Sequence, residues 1–163
     1  MQLTFHTPLS NLSAELRNGS RSWKHYIFQG LLIVVAMLLV FRLLDWQHLG
    51  LVSSIGGTIF NLFATPTSTA ASTKNVIVGH LIGMLIAFGC SFFPHSELVW
   101  AVAVGLSVVL LAATRTLHPP SSGTVLGVTS KGFSPEAALS LAVSVLILVV
   151  IYRTLKPYLK DLF

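Results

Sequence analysis

Charge is scarce in this chain. Only 9% of its 163 residues are Asp, Glu, Lys or Arg, where a soluble domain carries about 25%. Acids are the scarcest. Glu15, Asp45, Glu97, Glu136 and Asp161 are the five, and none lies in the middle of an apolar run. That argues against an acid-lined cation pathway and a carboxylate proton relay, which need Asp or Glu within a span. There is one cysteine, Cys90. An intrachain disulfide and a Cys-based metal site are therefore excluded, and Cys90 reads as a small packing residue. No Gly-x-Ser-x-Gly elbow occurs, no mid-span acid could orient a histidine, and no His/Asp/Glu group has metal-ligand spacing. An enzyme is not expected. Two lone histidines, His80 and His118, are too little to hold a haem, so no cofactor is expected either.

What is abundant is apolar sequence, 53% of residues with a mean hydropathy of +0.80. Together with the charge deficit this marks an all-α polytopic membrane protein whose main partner is the lipid bilayer. The net charge is +5. Its carriers cluster at the ends: Arg17, Arg21 and Lys24 before the first apolar run, Arg153, Lys156 and Lys160 after the last. This is the positive-inside pattern, which places both termini in the cytoplasm, and it removes the need for a nucleic-acid partner. Residues 1–25 read as a cytoplasmic segment, in which Phe5, Leu9, Leu12 and Leu16 are spaced for an amphipathic helix on the membrane surface. No cleavable signal is expected, since the first apolar run is long enough to span. Residues 26–155 form a single transmembrane domain and 156–163 a cytoplasmic tail.

Four runs are long enough to cross: Tyr26–Leu44, Asn75–Phe93, Leu98–Ala113 and Ala137–Tyr152. Two shorter segments, Leu49–Ala64 and His118–Ser130, are interrupted by glycine, serine or proline and read as broken half-helices. Long–short–long thus occurs twice, predicting two structural repeats over 26–93 and 98–155. Transporters built this way put broken segments in corresponding positions at the substrate site. If both short segments cross, the repeats are inverted, with Lys74 and Arg115 on the cytoplasmic side. If they re-enter, the repeats are parallel. Charge favours the inverted form.

The most informative run is Leu117-His118-Pro119-Pro120, followed by Ser121-Ser122-Gly123-Thr124. Two prolines cannot lie inside a spanning helix. They can open one, and the exposed N–H groups and dipole of such a start suit an anion. Broken backbone at membrane depth is tolerated only where protein or a wet cavity surrounds it. Ser121, Ser122 and Thr124 add hydroxyls. Arg115 lies three residues before His118, so that one helical face would carry both, and its planar fork suits a small oxyanion. His80 sits mid-run beside Gly79 and Gly83, placed to bind a solute, carry a proton or satisfy a neighbouring carbonyl. Ser53, Ser54 and Thr58, with Gly56 and Gly57, form the counterpart segment. Pro119, Pro120, Gly56, Gly57 and Gly123 are expected to shape the backbone, and Asn61 is a further polar candidate. Without mid-span acids, this interior suits an anion or a small neutral solute. Close packing in a non-transporting membrane scaffold is the competing reading.

The string Thr114-Arg115-Thr116-Leu117-His118-Pro119-Pro120 resembles the signature of the HPP family of small integral membrane proteins. Ser54-Ile55-Gly56-Gly57-Thr58 is similar to that family's first small-residue segment, and Asn75-Val76-Ile77-Val78-Gly79-His80-Leu81 to its Asn-x-x-x-Gly-His-Leu stretch. Thr73-Lys74 departs from the family's frequent Pro-Arg. The resemblance implies a membrane protein of bacterial or plastid type, here assigned to a bacterial inner membrane, and transport of nitrite or a similar oxyanion. Four long spans make a thin wall for a pore, so a homo-oligomer is expected.

Overall fold

The computed structural model describes residues 23–44 and 49–163. The amphipathic segment expected near the N-terminus lies outside them. The described residues form six α-helices and no strand. In order they are α1 (Trp23–Leu43), α2 (Leu49–Ala64), α3 (Thr73–Cys90), α4 (Glu97–Ala113), α5 (Pro120–Thr129) and α6 (Pro135–Leu155), with short 3-10 turns at Thr69–Ala71 and Lys156–Tyr158. Three helices are long and apolar enough to span a bilayer, namely α1, α3 and α6. The fourth expected span, α4, has 17 residues and is shorter. The expected break in the first short segment is absent, because α2 is one continuous helix of 16 residues.

Local sequence explains the boundaries. Ser72, Ser96 and Ser134 each accept a hydrogen bond from a backbone N–H three residues on, capping α3, α4 and α6. Pro135 stands at the first turn of α6, where its missing donor costs nothing. The proline pair opens α5 in the same way. At 10 residues α5 is only about 15 Å long at 1.5 Å per residue.

The packing is centred on α2 and α5. On α2, Leu51, Val52, Ile55, Ile59, Leu62 and Phe63 are all buried. Around it α1 packs on α2 and α6, while α5 packs on α2, α3 and α4. The remaining principal helix contacts are α2 with α6, and α3 with α4 and α6. The outward faces are apolar: Leu31, Val35 and Leu38 on α1, Leu81 and Leu85 on α3, Val108 and Val109 on α4, Leu146 and Val150 on α6 are all exposed. Water would disfavour such a surface and lipid would not.

The direction of α2 against α5 follows from their contacts. A Cβ built on Gly50 would lie 2.5 Å from the Gly127 Cα, and one on Gly57 would lie 3.2 Å from the Pro120 ring. Between them, Gly123 approaches Ser54. As one number rises the other falls, so the helices cross antiparallel. The two ends of the described chain meet at one end of the bundle. There the Gln29 amide donates to the Phe63 and Lys160 carbonyls, the Leu162 N–H donates to the Ala64 carbonyl, and the Tyr152 hydroxyl donates to the Pro66 carbonyl.

Candidate functional site

Where α2 and α5 cross, the polar side chains of the two segments meet. Ser54 Oγ lies 2.8 Å from Thr124 Oγ1 and donates to the Pro120 carbonyl at 2.5 Å. One turn along α2, Thr58 Oγ1 lies 2.8 Å from His80 Nε2 and 3.0 Å from His118 Nε2. The other nitrogen of His80 is 2.8 Å from Thr124 Oγ1. The other nitrogen of His118 is 2.8 Å from the Ala70 carbonyl. The two imidazoles meet edge to face, with centroids 5.0 Å apart. Ser54, Thr58, His80, His118, Ser121 and Thr124 are all buried.

The backbone brings them together at points of very close approach. Gly79 and Gly83 on α3 leave room for the start of α5: a Cβ on Gly79 would lie 2.9 Å from His118 Cβ, and one on Gly83 would lie 2.7 Å from the Ser121 carbonyl. That is why His80, between them, reaches both α2 and α5. Ser121 Oγ donates to the His118 carbonyl at 2.6 Å and tightens the turn that opens α5. Every buried side-chain N or O among the described residues has a hydrogen-bond partner. A cavity of about 250 Å³ between α3 and α6 touches this centre at His80, and the rest of its lining is apolar, including Ile77, Met84, Leu141 and Val145.

Not every expected residue joins. Ser53 is exposed, while its neighbour Ser54 is buried. Ser122 turns to the other side of α5 and lies 2.8 Å from Ser107 Oγ on α4. Gly57 and Gly123 sit in the α2–α5 contact, whereas Gly56 faces Met37 on α1. Pro119 is exposed and Pro120 half-buried against Gly57. Ser107 was missed by sequence reasoning, and Asn75 was noted only as the first residue of the Asn-x-x-x-Gly-His-Leu stretch. Asn75 donates to the Thr69 carbonyl at 2.9 Å and reaches the Leu117 carbonyl at 3.4 Å, tying the two connections together. Ser107 is a polar residue alone in a long apolar run, which was its visible signal.

A family model for the HPP transmembrane region matches residues 17–157, nearly the whole chain and all of this centre. The chain belongs to the HPP transmembrane family. Among similar proteins in Dictyostelium discoideum, one curated transmembrane protein is 33% identical over 104 residues, covering 61% of this chain and 36% of that protein. A second is 28% identical over 123 residues, covering 72% of this chain and 39% of that protein. The chain thus spans less than two fifths of the length of these relatives. No solved structure matches.

Arg115, inside this HPP chain's most distinctive string, is exposed and stands apart from the histidines. Sequence spacing put Arg115 and His118 on one helical face. That is corrected by the end of α4 at Ala113. Beyond it the Thr116 N–H donates to the Leu111 carbonyl and the Arg115 N–H to the Ala112 carbonyl. This is the paired bonding of a Schellman cap, which places Arg115 at the left-handed position with φ 52°. Glycine fits there at less cost than arginine. Arg115→Gly is therefore expected to stabilise the fold by about 1 kcal/mol, measured as a higher unfolding midpoint in detergent. A lower midpoint would show that the guanidinium makes contacts that outweigh the backbone relief.

Proposed function

We propose that this protein transports a small anion, nitrite or a similar oxyanion, across the membrane by way of the crossing of α2 and α5. The observation that carries the reading is the buried centre itself. Two histidines and four hydroxyls, drawn from α2, α3 and the start of α5, are gathered inside an apolar helical bundle. Polar groups at that depth are expensive, and function is the usual reason to keep them. No acid joins them, so the interior does not repel an anion.

The packing pattern supports two inverted repeats. Exchanging α1, α2 and α3 for α4, α5 and α6 leaves the set of principal helix contacts unchanged. The antiparallel crossing of α2 and α5 lies on the axis of that exchange. The chain directions support it too, since Gln29, near the start of α1, bonds Phe63 at the C-terminal end of α2 as well as Lys160 beyond α6, so that α2 crosses back to the side where α1 begins. Lys74 lies in the first turn of α3 and Arg115 just beyond the end of α4, and these helix ends are linked through Asn75 and Leu117. Six of the eight Lys and Arg among the described residues then collect at one end of the bundle, which we assign to the cytoplasm, while Arg42 and Lys131 lie toward the other. In that setting Arg115 and Lys74 act by raising the local anion concentration at the mouth, not by gripping the anion inside.

Nitrite uptake into proteoliposomes tests this. Arg115→Ala is exposed and leaves the fold intact, and it is expected to slow uptake several-fold at low salt, with the loss shrinking at high salt. His118→Ala is expected to reduce uptake to background. Uptake unchanged by both variants would defeat the reading.

One observation favours a second reading. Every buried polar side-chain atom among the described residues has a partner within hydrogen-bond distance, Ser54 with Thr124 and Thr58 with His118 among them, as a non-transporting scaffold requires. Wild-type protein that takes up no nitrite, while its folding still depends on the histidine centre, would establish that reading instead.

A further inference from the structure

The closest hydrogen bonds at the helix crossing form one continuous chain with an acceptor at each end. It starts at the Ala70 carbonyl and runs through His118, Thr58, His80, Thr124 and Ser54 to the Pro120 carbonyl. All its contacts are between 2.5 and 3.0 Å. A carbonyl can only accept, so His118 Nδ1 must carry a proton toward Ala70 and Ser54 must donate to Pro120.

The chain has six links, and each needs one proton. Three hydroxyls and two neutral imidazoles supply five. One link is then left with two lone pairs facing each other at hydrogen-bond distance. Thr58 also lies 3.2 Å from the Ser54 carbonyl, which adds another acceptor and no proton. With both end links filled, the deficit falls on the stretch from His118 to Ser54. The longest of those links is His118 to Thr58, at 3.0 Å.

We propose that this chain is a proton-binding site, which takes one proton from water and shares it between His80 and His118. With that proton every link is filled. A buried positive charge is costly, and here the cost is offset by carbonyl acceptors at both ends of the chain and by spreading the charge over two rings. No other titratable group opposes it. The groups bonded to the rings are Thr58 from α2, Thr124 from α5 and the Ala70 carbonyl, and from α6 the aliphatic Leu141 and Val145 line the cavity beside His80. Every Asp, Glu, Lys and Arg among the described residues is exposed. At the His118 end the neighbouring Arg115, Leu117 and Pro119 are exposed at the surface of the bundle. The site does not depend on the transport reading, because a bound proton is detected without any solute.

The test is ¹⁵N-histidine NMR of the full chain in lipid bilayers, titrated from pH 8 to pH 5, with His80 and His118 assigned by single substitutions. Wild type is expected to take up one proton, seen on both rings. Ser54→Ala removes two links and one donor, leaving four links and four protons. Its midpoint is expected to fall by at least one pH unit. Thr124→Val also balances links and protons and should shift the midpoint the same way, which covers the case where Ser54→Ala does not fold. Ser107→Ala removes a nearby buried hydroxyl outside the chain and should leave the midpoint in place. Rings that stay neutral to pH 5 in wild type, or a midpoint unmoved by Ser54→Ala and Thr124→Val, would overturn the proposal.

Discussion

Gly127→Ala is expected to cost about 3 kcal/mol of stability, at the upper end of the range for overpacking. The added Cβ would lie 2.7 Å from the Gly50 carbonyl carbon and 2.9 Å from the Leu51 nitrogen. Both are backbone atoms of α2 and cannot rotate away, so α2 and α5 must separate. Their separation stretches the Ser54–Thr124 and Thr58–His118 links, which close at 2.8 and 3.0 Å. Gly50→Ala acts on the same contact and should cost a similar amount, with the double variant costing less than the two together. Gly105→Ala is the control. Its Cβ would meet nothing within 4 Å, and alanine is the better helix former by about 1 kcal/mol. Unfolding midpoints in detergent separate the cases. Equal midpoints for Gly127→Ala and Gly105→Ala would mean that the crossing is looser than its geometry.

The helix ends were legible in the sequence because they rest on local chemistry. Long apolar runs and the proline pair act within a few residues of themselves. What the sequence hid was long-range. Gly56 and Gly57 read as a break, yet α2 runs straight through them. Their missing side chains admit Met37 and the Pro120 ring, so the glycines serve close packing and the helix stays whole. Ser53 and Ser54 were equal candidates on paper. Successive residues on a helix point about 100° apart, and only Ser54 faces α5. Arg115 was placed with His118 by counting along a helix that in fact stops before either. His80 was visible as a polar residue in a long apolar run, and Thr58 and His118 as members of the two interrupted segments. That all three meet at one oxygen depends on the approach of α5 to Gly79 and Gly83, which no local pattern encodes.

Thr58→Val is expected to be the most damaging single change to that centre. Valine keeps nearly the shape of threonine and removes one oxygen. That oxygen is 2.8 Å from His80 Nε2 and 3.0 Å from His118 Nε2, and both rings are buried. Both nitrogens would be stranded at once, at about 1–3 kcal/mol each, so the expected loss is about 3 kcal/mol after partial relaxation. Thr65→Val is the comparison. Its hydroxyl bonds the Asn61 carbonyl at 3.2 Å and Ser68 at 3.3 Å in a half-buried turn, where water can replace it at a cost of about 1 kcal/mol or less. Unfolding midpoints and nitrite uptake should be measured on the same preparations. If uptake per folded molecule collapses in Thr58→Val and survives in Thr65→Val, the threonine bridge serves transport as well as folding. If the midpoint falls but uptake per folded molecule does not, the two histidines are joined for packing alone, and the path of the anion must be sought away from the crossing of α2 and α5.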